Sequence, residues 1–178
     1  MIYEQRFLSS WLDAVGDYKT WNRAAEINEY IANLLYKRRS AAVTKFTNVN
    51  ESTPITLEEA DDISMSRVIA MFYGLALEGY LKAYMVKFKE ISPVVEELKD
   101  GKLRIARELT THNLFDLFTK FRDPRVEEEK LLRDLTRAVK SGKYFFERYF
   151  NPSTYFYNLD KTVSRSKMLI LEIKKLLK

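Results

Sequence analysis

Apolar residues recur along this chain at three- and four-residue spacing, the period of helices that pack by one face. Between Trp11 and Tyr36, the positions Ala24, Ile27, Ile31, Leu34 and Leu35 predict one or two helices, with Gly16-Asp17 as the break. Lys37-Arg38-Arg39 then closes the stripe with cations, which the negative end of a helix dipole favours. The stretch from Phe46 to Ile55 holds Asn48, Asn50, Ser52, Thr53 and Pro54 and reads as a loop. Thr56-Leu57-Glu58-Glu59 fits a capping box, from which a long helix runs to about Glu90. Its apolar residues, Ile69, Met71, Phe72, Leu75, Leu77 and Leu81 among them, cover more than one stripe, so this is the helix that the others surround.

Ser92-Pro93 interrupts the pattern, and Val94 to Lys99 reads as a short helical piece stopped by Asp100-Gly101. Thr110 or Thr111 caps a helix from His112 to Phe121. Asp123-Pro124 starts the next, since Asp is a good cap and Pro suits the first helical position; it runs to Lys140, with Gly142 just past its end. Lys143 to Asn158 is an aromatic-rich connection, and Leu159 to Lys178 is a last amphipathic helix. The expected fold class is all-α, a bundle of about five main helices. It forms a single domain over residues 1–178, in which 1–55 is an N-terminal helical region containing the first bundle helix.

Two places break the apolar logic. The run Leu75-Ala76-Leu77-Glu78-Gly79-Tyr80-Leu81-Lys82-Ala83-Tyr84 carries Glu78 and Lys82 inside the central helix, and Thr111-His112-Asn113-Leu114 carries the only histidine. Ionisable groups in a buried helix cost free energy unless something pairs with them. Glu78 and Lys82, four apart on one face, either pair with each other or form a functional polar pocket. His112 either caps the helix start or bonds Glu78 or a backbone carbonyl across the bundle.

Composition narrows the class of protein. Cysteine is absent, which removes disulfides, thiolate zinc sites and cysteine nucleophiles and predicts an intracellular, cytoplasmic protein. Residues Met1 to Trp11 contain Glu4, Gln5 and Arg6 and lack the basic head and apolar run of a signal peptide. No stretch approaches the roughly twenty apolar residues of a membrane-spanning helix. The net charge of +5 is unevenly spread: residues 1–100 hold 12 Lys/Arg against 15 Asp/Glu, while 101–178 hold 18 against 10. A basic C-terminal half suits phosphates or an acidic partner; its plain alternative is a set of solvated helix faces balanced by nearby acids.

A single histidine rules out multi-histidine metal sites, and the motifs HExxH, GxSxG, GxGxxG and the P-loop are all missing, so neither metal nor cofactor is expected. Glu58-Glu59-Asp61-Asp62 and Glu127-Glu128-Glu129 sit in predicted first turns, where the helix dipole accounts for them. Between Tyr144 and Tyr157 there are eight aromatics in fourteen residues, interleaved with Arg148 and preceded by Lys143. That composition can stack bases beside phosphate-binding cations, or fill the end of a bundle or a dimer interface.

The segments "LALEGYLKAYM", "THNLFDLF" and "ERYF", in that order, resemble the HEPN domain over roughly residues 57–178. Asn113 stands where the family usually has Asp after the histidine, and Phe150 where Pro usually follows Arg-Tyr. The resemblance implies an up-and-down helical bundle, a homodimer, and a role in nucleotide or RNA handling within phage-defence or toxin-antitoxin systems, with an antitoxin or a nucleotidyltransferase as cognate partner. On this reading Glu78, Lys82, Lys143, Arg148 and Tyr149 are the binding residues. Ribonuclease members carry Arg, four to six residues, then His, and cut RNA without a metal; Arg107 and His112 are the residues at such a spacing here. An arginine could stabilise charge on the scissile phosphate while an imidazole moves a proton. The expected order is a binding module first, a metal-independent ribonuclease second and a purely structural interaction domain third.

Overall fold

A computed structural model describes residues 12–48, 65–88, 91–92, 94–97, 103–143 and 158–178. A helical turn over 12–16 stops at Asp17. Asp17 opens helix α1 (Tyr18–Asn48): its carboxylate accepts the Lys19 N–H at 3.0 Å and its carbonyl accepts the Thr20 N–H at 3.1 Å. The predicted break is therefore present. The predicted end at Tyr36 is not, because no Gly or Pro lies between Gly16 and Pro54 to stop the helix, and Lys37-Arg38-Arg39 ride on its surface instead of its terminus. Phe46, Thr47 and Asn48, expected in a loop, belong to this helix.

Helix α2 (Ser66–Lys87) is the hub, and from Ile69 onward nearly every face of it is covered. It packs against α1 and against three later helices, α4 (Leu114–Phe121), α5 (Val126–Lys143) and α6 (Leu159–Leu177). The predicted capping box at Thr56 to Glu59 lies outside the described residues.

Two glycines let the hub's neighbours come close. A Cβ on Gly79 would lie 2.9 Å from the Ala25 Cβ and 3.2 Å from α1 backbone atoms, and one on Gly74 would lie 2.6 Å from Val139 Cγ2 of α5. At the α1–α2 crossing only small side chains fit, so α1 buries Ala25 and Ala32 against the hub. The expected core stripe of α1 is thereby corrected: Ala24, Ile27 and Leu34 are exposed, while Ile31 and Leu35 are half-buried.

The segment after α2 also departs from expectation. Val94–Glu97 is not helical but a strand, β1, paired antiparallel with β2 (Leu103–Ile105) in the register Val94↔Ile105, Glu96↔Arg104 and Glu97↔Leu103, with an irregularity between Val94 and Glu96. Val94, Val95 and Ile105 are β-branched and favour extended backbone, and Asp-Gly is as much a hairpin sequence as a helix stop. The described fold is thus a helical bundle with one small two-stranded ribbon.

A four-residue helix, α3 (Arg107–Thr110), leads from β2 to α4. Helix α4 begins at Leu114, two residues later than expected, with Asn113 at its N-cap position. Helix α5 is preceded by Arg125, not Asp123: Arg125 N–H donates to Glu128 Oε2 at 2.7 Å, and the Arg125 carbonyl accepts from Glu128 and Glu129, half of a capping box. It runs through Gly142 to Lys143. Helix α6 follows the prediction, its Asn158 side chain accepting the Lys161 N–H at 3.0 Å.

Candidate functional site: a buried carboxylate shared by lysine and histidine

Glu78 and Lys82 lie one helical turn apart on the hub, glutamate first, the order that suits the helix dipole. Lys82 Nζ donates to Glu78 Oε1 at 2.6 Å, and the two side chains are only 2% and 8% exposed. From the other side, Lys82 Nζ sits 5.0 Å from the centre of the Trp21 ring on α1, a cation–π contact inside the bundle. The indole is itself fixed, its Nε1–H donating to the Val15 carbonyl at 2.9 Å.

His112 completes the cluster. Its Nδ1 lies 2.9 Å from both Glu78 oxygens. An ionised carboxylate only accepts hydrogen bonds, so Nδ1 carries the hydrogen and, in the neutral ring, Nε2 is the basic nitrogen. At 28% exposure the imidazole is the one member of the three that reaches towards solvent. Its backbone is held from both flanks. The Thr111 hydroxyl accepts the Asn113 N–H at 3.1 Å, and Thr136 of α5 accepts the Leu114 N–H at 3.0 Å while donating to Leu132 O at 2.8 Å. The expected polar partner of Glu78 is therefore two partners, and His112 bonds it across the bundle instead of capping α4.

The other candidates fare differently. Arg107 opens α3 with its side chain exposed, while its carbonyl accepts the Thr111 N–H at 2.9 Å; the structure does not join its guanidinium to His112. Lys143 ends α5, but its side chain lies outside the described residues, as do Arg148, Tyr149 and the whole aromatic segment 144–157. Among the described residues no group of three or more His, Cys, Asp or Glu side chains is placed to hold a metal. Nor is any described helix long and apolar enough to cross a membrane.

Two polar systems were not anticipated from the sequence. Along the α1–α2–α6 seam, the Tyr80 hydroxyl donates to Glu29 Oε2 at 2.6 Å, and Lys174 of α6 reaches the same oxygen at 3.0 Å. Tyr73 donates to Asn33 at 2.8 Å and Tyr36 to Asp160 at 3.0 Å. Burial pushes the Tyr80 and Tyr73 hydroxyls well above the ordinary tyrosine range, with Glu29 adding to both shifts, so each stays a neutral donor. The signal available was the seven-residue spacing of Tyr73 and Tyr80, which puts two hydroxyls on one face of an otherwise apolar helix.

The second system is a clasp around Arg122. Its guanidinium grips Glu172 of α6 through Nε at 2.7 Å and Nη2 at 2.9 Å, grips Glu128 of α5 through Nη1 and Nη2 at 2.9 Å each, and donates to Asp123 O at 3.0 Å. Hydrogen bonds from Arg122 hold both carboxyls below the usual range. The basic C-terminal half is thus partly neutralised in place. Arg122, Arg133, Arg137, Arg165 and Lys174 are bonded to Glu128 and Glu172, Glu129, Asp134, Glu127 and Glu29 respectively.

Compared with known proteins, the chain matches no family model, and no curated protein or solved structure matches it significantly.

Proposed function

We propose that this chain is a HEPN-like, up-and-down helical domain that binds a nucleotide or RNA around His112. On this reading it acts in the cytoplasm, as a homodimer, within a phage-defence or toxin-antitoxin system whose cognate partner is an antitoxin or a nucleotidyltransferase. One observation carries the binding assignment: the hub helix keeps a glutamate and a lysine in its interior, and the histidine that the glutamate holds is the member of the cluster that reaches the surface. Burying such a pair costs more than well-packed apolar residues would, so its retention in an otherwise apolar helix calls for a role beyond stability. The exposed Arg107 guanidinium, five residues before His112, supplies a cation for phosphate.

Anisotropy with a dye-labelled single-stranded RNA and with a labelled nucleotide tests this. Saturable binding at low salt is expected, weakening about tenfold in an Arg107→Ala, Arg148→Ala protein as phosphate contacts are lost. No binding of either probe removes the proposal. Homodimerisation is assigned to the aromatic segment 144–157, whose tyrosine- and phenylalanine-rich composition suits an interface between subunits. A monomer in sedimentation at roughly tens of micromolar counts against it.

The second reading, a metal-independent ribonuclease using Arg107 and His112, is favoured by one specific feature. A carboxylate on Nδ1 fixes the ring and leaves Nε2 as the basic nitrogen, the arrangement a general base requires. Under it, single-stranded RNA is cleaved in the presence of a chelator, and His112→Ala abolishes cleavage at unchanged RNA affinity.

A further inference from the structure

Along α1 the residues Arg23, Ile27, Tyr30, Leu34 and Lys37 follow one another at spacings of four, three, four and three, the alternation of a coiled-coil seam. At 100° per residue they fall within about 80° of arc, on the side of α1 opposite Ala25 and Ala32. Ile27, Tyr30 and Leu34 are 50%, 68% and 47% exposed. Single exposed apolar residues are ordinary on a protein surface; three in one seam on the face turned away from the core are not.

We propose that this seam docks an amphipathic helix from a protein partner, with acidic residues at its two ends and apolar residues between. The charges select the occupant. The apolar triplet is bounded by Arg23 at one end and Lys37 at the other, with Arg38 exposed beside the second. Glu26, the acid at the seam's edge, is engaged by the Asn22 amide at 2.9 Å. A second copy docked antiparallel about Tyr30 sets Arg23 against Lys37 at both ends. A parallel copy sets each cation against itself. Like charges face each other across the seam either way, which disfavours self-pairing. Acids fourteen residues apart on a partner helix, two heptads, meet both cations while the intervening apolar positions cover Ile27, Tyr30 and Leu34. This inference does not depend on the ligand assigned to the His112 site.

The test uses two dye-labelled synthetic helices of three heptads with leucine at the seam positions, one carrying glutamates and the other lysines opposite Arg23 and Lys37. Saturable binding of the glutamate helix to the full chain is expected, with the lysine helix at least about tenfold weaker. Ile27→Ser with Leu34→Ser should abolish binding at an unchanged melting temperature, since neither side chain contributes to the core. Arg23→Glu with Lys37→Glu should invert the preference between the two helices. Equal binding of both, binding that survives the serine pair, or no binding of either overturns the proposal. So does a dimer that becomes a monomer on Leu34→Glu, because a second copy would then be the occupant.

Discussion

The Glu78–Lys82–His112 cluster and the Arg122–Glu128–Glu172 clasp use the same ingredients, a cation and carboxylate oxygens, at different depths. In the first, the lysine and glutamate are 2% and 8% exposed, in the hub helix. In the second, the arginine is 27% exposed and its partners 15% and 43%, at the junction of α4, α5 and α6. Depth changes what each can be for. A partly exposed, fully satisfied guanidinium ties three helices at little desolvation cost and needs no further explanation. An interior ion pair loses hydration on both sides, so its contribution to net stability is small while the penalty for breaking it is large.

That contrast sets the order of expected effects. Lys82→Met leaves the Glu78 carboxylate buried with only His112 to balance it, and should lower the unfolding free energy by about 3 kcal/mol in urea titration. The combined Glu78→Leu, Lys82→Met protein should regain most of that loss, since an apolar pair removes the stranded charge. If the double variant is as unstable as the single one, the cluster is a structural keystone and the comparison fails.

Arg122→Met should cost less, about 1.5 kcal/mol by the same measurement, because the freed Glu172 carboxylate turns to water. His112→Ala removes a hydrogen bond to a carboxylate that keeps its lysine, and about 1 kcal/mol is expected from thermal melting.

Acid sharpens the comparison further. Glu128 and Glu172 are held low in the folded state, chiefly by hydrogen bonds from Arg122, so protonating them favours the unfolded chain. Their contribution is complete above the unfolded glutamate value of about 4.3 and is lost as pH falls through the lower folded values. Urea midpoints taken below about pH 4 should therefore decline more steeply for the parent protein than for Arg122→Met. The smallest effect is that of salt. Raising it to about 1 M should narrow the gap between parent and Arg122→Met while leaving the Lys82→Met penalty in place, because buried pairs are poorly screened.

The buried cluster was legible in the sequence because ionisable residues interrupt an apolar run, and such an interruption needs a partner wherever the helix packs. Glu78 and Lys82 in the hub follow from that reasoning, while the bond from His112 to Glu78 is one of three roles it left open for the ring. The Arg122 clasp was not legible, since its carboxylates lie 6 and 50 residues away and no local pattern links them. The face of α1 was misread for a different reason. Ile27 and Leu34 satisfy a helical period as well as Ala25 and Ala32 do, and hydrophobicity favours the larger side chains. What decided the matter was room: Gly79 brings α2 so close that only alanine fits. The β1–β2 ribbon was missed because a four-residue apolar-acidic stretch before Asp-Gly has no distinctive period, and pairing with Leu103–Ile105 settles its conformation.

The hydroxyl of Thr136 carries a consequence for the order of assembly. The Asn113 side chain makes no capping bond, and the first N–H of α4 is satisfied by a residue 22 positions later in the chain. An eight-residue helix is too short to persist alone in water, so α4 gains its first turn only when α5 has been made and has docked. His112 stands two residues before that turn. Its approach to Glu78 is therefore among the late events of folding, because it waits on a helix that the chain makes only after the histidine itself.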